Sequence, residues 1–201
     1  MQKKILKIQS NQIFLMKKAD DIISLALKAK EVKNISYEIE NSFHLKIKII
    51  RVLPINLGYL LGKLSFLDIN SMNIFKLYDD KKYFEITFSQ NVDDIDIPFI
   101  EEVITHSFDM SKKYKYTKPV IKQNEITINC EHREDIAQMK IQTKDQKALF
   151  GYIAQVLDKF NIEIQSAKIF TQRGRVNDLL LIEKNGNFCI NKEKFLGELI
   201  I

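Results

Sequence analysis

The sequence predicts an α+β fold made of two tandem copies of one strand–helix–strand–strand–helix unit. Three observations carry that prediction. Residues Asp68-Ile69-Asn70-Ser71-Met72-Asn73-Ile74-Phe75 recur 95 positions later as Glu163-Ile164-Gln165-Ser166-Ala167-Lys168-Ile169-Phe170. Four of these eight positions are identical and two more exchange acid for acid or amide for amide. Short runs of alternating apolar and polar residues, the period of a half-buried strand, flank each copy of the motif. Between those runs lie segments whose apolar residues recur at helical spacing. A two-fold repeat with this period in 201 residues means duplicated domains and not a solenoid.

The elements follow in order. Residues 1–42 belong to neither copy; Asn11 to Val32 carries Ile13, Met16, Ile23, Leu27 and Ala29 at broadly helical spacing and predicts an amphipathic N-terminal helix. Copy one, residues 43–130, opens with a strand over Leu45 to Val52. After a turn at Pro54, an apolar helix runs from Leu57 to Leu67. Strands over Met72 to Tyr78 and Tyr83 to Phe88 are joined by Asp79-Asp80-Lys81-Lys82 as a hairpin turn. Pro98 sits where the first turn of a helix tolerates it, ahead of Phe99 to Phe108. Asn124 to Cys130 is read as the fourth strand of this copy. Copy two, residues 131–201, repeats the order. A strand covers Met139 to Thr143, with Asp145 as helix cap. The helix runs from Leu149 to Phe160, with Phe150, Ile153, Ala154, Leu157 and Phe160 on one face. Strands over Lys168 to Thr171 and Val176 to Glu183 and a closing helix over Lys192 to Leu199 follow. No sequence remains for a fourth strand in this copy. A βαββαβ unit is the ferredoxin-like arrangement, a four-stranded antiparallel sheet with two helices on one face.

Composition sets the outer bounds. Hydrophobic residues make up 45% of the chain and charged residues 28%, ordinary values for a globular protein. No apolar run approaches the ~20 residues of a membrane helix, and the basic start lacks a signal-peptide core. Cys130 and Cys189 lack CxxC spacing, so reduced buried thiols and a cytoplasmic protein are expected. The net charge of +5 is spread along the chain among 26 acids, which does not favour nucleic acid. The densest basic run, Lys112 to Lys118, reads as a solvated linker despite its interleaved Tyr114 and Tyr116. Asp94-Ile95-Asp96 has the spacing of a metal-binding pair but reads as acids at a helix start. His44, His106 and His132 share no metal-ligand spacing. With no phosphate loop and no nucleophile elbow either, no catalytic residue, metal or cofactor is expected.

The passage Asp145-Gln146-Lys147-Ala148-Leu149 between strand and helix resembles the Asp-Arg-Pro-Gly-Leu pattern of ACT domains. Ser166 to Thr171, with Gly174-Arg175-Val176-Asn177-Asp178 after it, resembles their second strand and hairpin. Two such modules in tandem are similar to the C-terminal regulatory tail of bacterial PII uridylyltransferase/uridylyl-removing enzymes. Leu57 to Lys63 and Glu183 to Phe188 share that likeness, which spans roughly residues 42–190. The resemblance implies an allosteric module sensing glutamine in nitrogen signalling. Its partners would be catalytic domains of a parent enzyme and the PII protein.

In that family an amino acid sits between the loop at a helix N-terminus and the second strand of an adjacent module. By position the loop is Asp145, Gln146, Lys147, Ala148 and Leu149, and the strand edge is Ile164, Gln165, Ser166 and Ala167. Copy one offers Pro54 to Gly58 and Asn70 to Met72. The unpaired N–H groups and dipole of a helix start attract a carboxylate, Asp145 is placed for an α-ammonium, and Gln165 or Ser166 for a side-chain amide. Ala148 stands where the family has glycine, and its Cβ narrows the approach. The rival reading is an interaction or dimerisation scaffold, in which sheet edges pair to form a homo-oligomer and copy two's open edge pairs with another chain or with Ile126 to Asn129.

Overall fold

The computed structural model describes residues 24, 27–77, 81–184 and 188–200. In chain order its elements are β1 (Ile35–Asn41), β2 (Leu45–Arg51), α1 (Leu57–Lys63), β3 (Ile69–Lys76), β4 (Lys82–Phe88), α2 (Ile97–His106), β5 (Ile126–Asn129), β6 (Ile136–Lys144), α3 (Leu149–Lys159), β7 (Ile164–Gln172), β8 (Arg175–Glu183) and α4 (Lys192–Leu199). The strands make one antiparallel eight-stranded sheet in the order β1-β2-β4-β3-β7-β8-β6-β5. Two ferredoxin-like modules, β1-β2-β4-β3 and β7-β8-β6-β5, lie side by side in it.

Local chemistry explains the elements. In β2 the side chains of Leu45, Ile47 and Ile49 are buried while Lys46 and Lys48 are half-buried, the two-residue alternation of a strand with one core face. The Asn56 side chain accepts a hydrogen bond from the Tyr59 N–H at 2.9 Å and caps α1. Asp94–Asp96 forms one 3-10 turn that leads into α2, with Pro98 in the first helical turn.

The fourth-strand positions are filled differently from expectation. Residues 35–41, read from the sequence as part of the helical segment, form β1 and pair along their whole length with β2. Ile126–Asn129, read as copy one's fourth strand, pairs with β6 of copy two, so that copy does not lack an edge strand. Each module therefore has the order ββαββα, its edge strand arriving by a hairpin from upstream. A short hairpin closes at less entropic cost than a long return from the second helix. Residues 27–31 are helical; residues 11–23, 25 and 26 of the predicted N-terminal helix lie outside the described residues, as do Tyr78 of the predicted strand, Asp79 and Asp80 of the predicted turn, and the segment 185–187.

The modules meet through β3 and β7, the two copies of the repeat motif. Their register pairs Ser71 with Phe170, Ile74 with Ala167 and Phe75 with Ser166. Asn73 pairs with Lys168, its own repeat equivalent, so a pseudo-two-fold axis passes through that pair. The helices lie on one face and a single core runs beneath them through both modules, including Ile47, Leu60, Ile86, Met139, Ile153 and Ile182. A smaller cluster of Ala29, Val32, Ile50, Phe75, Leu77 and Tyr83 involves the opposite face of module one.

The connection 109–122 crosses the helical face. Tyr114 packs against Gly62 and Tyr116 against Gly151, and Tyr116 Oη donates to the Gly58 carbonyl at 2.5 Å. The tyrosines of the basic run are thus half-buried against the helices. Cys130 and Cys189 are joined in a disulfide, not reduced thiols as expected. The end of β5 and the segment after β8 come together at one end of module two, with Cα atoms 6.1 Å apart, a separation that a disulfide spans.

Candidate ligand-binding site

A cavity of about 300 Å³ opens between the modules at the start of α3. Module two supplies the loop Asp145 to Gly151 with Ile169, Thr171, Val176 and Asp178. Module one supplies the α1–β3 connection, from Leu64 to Ile69. The sequence places α3 here by its apolar face, and the β6–α3 loop aims the helix N-terminus at the cavity.

Ala148 precedes α3 in the left-handed conformation, φ 60°, and no side chain caps the helix. Asp145 is therefore not the cap that its position suggested. The tight turn at Ala148 pulls it away, and its backbone N–H bonds the Gly174 carbonyl at 3.0 Å. The uncapped first turn leaves Leu149, Phe150 and Gly151 lining the cavity. Gln146 is held by the interdomain connection: Val120 N–H donates to Oε1 and Nε2 donates to the Val120 carbonyl, both at 2.8 Å.

Three carboxylates face the same region. Asp178 is only 3% exposed, and neither of its oxygens has a hydrogen-bond partner of standard geometry. Burial pushes its carboxyl well above the usual range; the nearby Phe170 N–H offsets part of this and Asp145 adds to it. Asp145 is raised by burial first and by Asp68 second. Lys147 is the basic lining residue.

The pseudo-symmetric place in module one is built from different residues. Strand register puts Phe84 where module two has Asp178, and Arg51 where module two has Thr143. The Arg51 guanidinium lies over the Phe84 ring, 5.4 Å from its centroid, and donates to the Leu53 carbonyl at 2.6 Å. It pairs with Glu163 at 3.6 Å, and Lys82 also pairs with that carboxylate. Asp158 accepts from the Gly58 N–H at 3.1 Å, at the first turn of α1. Burial lifts Asp158 to about 6, and the Gly58 N–H and Arg51 hold it below where burial alone would put it. Burial likewise lowers Arg51 to about 10. Module one's helix start is thus occupied by the protein's own charges.

Of the predicted residues, Asp145, Gln146, Lys147, Ala148 and Leu149 come together around the cavity. Ile164, Gln165, Ser166 and Ala167 do not line it. They lie toward the other end of the seam, where Ser166 and Ala167 pair with Phe75 and Ile74 and the Ile164 carbonyl accepts from Lys82. The antiparallel seam is the reason: module two's loop meets the start of β3, not the start of β7. Asp68 and Asp178 were not picked out as site residues. Asp178 had left a signal, an acid on the inward face of an otherwise apolar strand, and Asp68 stands in the repeat motif itself.

No family model matches the chain, and no curated protein matches it. Among solved structures the chain is similar to aspartate kinase from Synechocystis, at 14% identity and a TM-score of 0.42, over 77% of this chain. It spans 26% of the length of that protein.

Proposed function

We propose that the chain is a tandem ACT-type regulatory module that senses an amino acid at the cavity beside α3. The observation that carries this is an uncapped helix N-terminus and the carboxylate of Asp145 on one inter-module cavity of about 300 Å³. A zwitterion presents the two complementary charges: its carboxylate suits the helix start and its ammonium the aspartate. Glutamine is the ligand that the resemblance to the uridylyltransferase tail implies. Control of a PII uridylyltransferase/uridylyl-removing enzyme is the finer form of the proposal.

The test is a thermal-shift panel of the twenty amino acids on the intact chain. A ligand at 100 times its dissociation constant adds about 2.7 kcal/mol of stability and a visible rise in midpoint. No response to any amino acid at millimolar concentration, with the tandem folded, leaves the scaffold reading. That reading has its own support in β1 and β5, the two outer edges of the sheet, each with one side free of a strand partner among the described residues.

A further inference from the structure

We infer that the cavity beside α3 takes an amino acid with a basic side chain, its guanidinium or ammonium group seated against Asp178 and Asp68. The inference rests on the sensor reading and names its ligand class.

The protein carries its own template for the ligand. Repeat equivalence sets Asp68 against Glu163, and the shared Gly-Tyr of the helices, Gly58-Tyr59 and Gly151-Tyr152, sets Ser65 against Asp158. In module one the carboxylates at these places face an internal guanidinium, that of Arg51. In module two the arginine is replaced by Thr143, so that position brings no cation of its own. The carboxylate of Asp68 is retained, and Asp178 adds another where module one has the Phe84 ring. Asp68, Asp145 and Asp178 form no ion pair among the described residues, and all three line the cavity.

A buried acid with no cation beside it is costly to ionise, and a cation from outside the chain would complete it. Asp178 is such a group. Lys147 lies on the exposed loop and does not pair with it. A basic amino acid satisfies the whole set: its carboxylate at the first turn of α3, its α-ammonium at Asp145, and its side-chain cation where Arg51 places one in module one. A neutral side chain such as that of glutamine leaves Asp178 to keep its proton, with no cation to favour its charged form.

Isothermal titration calorimetry on the full chain tests this with L-arginine, L-lysine, L-citrulline, L-glutamine and magnesium chloride. Citrulline copies the shape of arginine without its charge. The expected result is that arginine or lysine binds at least tenfold more tightly than citrulline and glutamine. Asp178→Asn then weakens the basic ligand at least tenfold and changes citrulline less than threefold. Asp68→Asn, at an exposed position, gives the same direction should the buried variant fail to fold. Tighter or equal binding of glutamine or citrulline overturns the charge assignment and leaves the sensor. Magnesium competing with arginine at comparable concentration also overturns it, as does a basic ligand indifferent to both variants. Absence of binding by every amino acid overturns both this inference and the sensor reading.

Discussion

At Ala148 the backbone adopts φ 60°, a conformation in which a Cβ crowds the following carbonyl. Glycine there removes the clash, so Ala148→Gly is expected to stabilise the fold by about 1 kcal/mol, less the extra chain entropy that glycine brings to the unfolded state. Urea denaturation reads this directly; a loss of stability would mean that the Ala148 methyl packs better than its backbone suffers. Asp178 gives a second residue-scale prediction, in pH. Its folded value lies well above the ordinary 3.8, so the folded chain holds a proton that the unfolded chain has released. Stability is then fully present below the unfolded value and falls as pH rises through the folded one. Asp158 contributes a fall of the same sign that ends near its folded value of about 6. Asp178→Asn is expected to flatten the part of the fall that Asp178 contributes and to raise the melting midpoint at pH 7. An unchanged pH profile in the variant would show that Asp178 is already compensated.

Between elements, α1 and α3 approach closely at Gly58. A Cβ built on Gly58 would stand 2.7 Å from the Gln155 Cα, a backbone atom that cannot turn aside. Gly58→Ala is therefore expected to cost about 1–3 kcal/mol by forcing the helices apart, with loss of the Gly58–Asp158 and Gly58–Tyr116 hydrogen bonds. A change below about 0.5 kcal/mol in chemical denaturation would mean that the crossing relaxes freely, as a surface site does. The helices, the inner strands and the repeat were legible in the sequence because each rests on local periodicity. The strand β1 carries such a signal too, in Ile35, Tyr37 and Ile39 alternating with polar residues, but the helical spacing just upstream masks it. Which edge β5 joins is decided by loop closure and not by its own four residues. The β6–α3 half of the site was legible from the strand-to-helix turn. Its other half was not, because the residues that face the loop across the seam depend on antiparallel pairing of the two motifs, which no local pattern records. The disulfide was hidden for the same reason, since Cys130 and Cys189 stand 59 residues apart.

For the whole molecule, the seam decides whether the tandem behaves as two domains or one. Among the described residues only β3 and β7 join the half-sheets by strand pairing, yet the core beneath them is continuous and α1 packs on α3 across the same axis. The connection 109–122 adds further ties, with the Asn56 side chain donating to the Lys112 carbonyl at 2.7 Å and that of Gln155 to the Tyr114 carbonyl at 2.6 Å. Neither module can unfold without exposing the other's seam strand and helix, so a single cooperative transition is expected. Ile74 is the probe. It is 1% exposed, pairs with Ala167 across the seam and belongs to the shared core. Ile74→Ala is expected to cost about 2–5 kcal/mol. Because the modules are coupled, native-state hydrogen exchange should show the loss equally at Leu60 in α1 and at Ile153 in α3, although the substitution lies in module one. Protection lost in α1 alone, or two separate transitions in guanidinium, would show that the modules fold independently and that the cavity lies between bodies free to separate. With a single transition, any ligand of the cavity raises the stability of both modules together by RT times the logarithm of one plus the ratio of its concentration to its dissociation constant. Binding at the start of α3 would then be felt as far as β1, the opposite edge of the sheet.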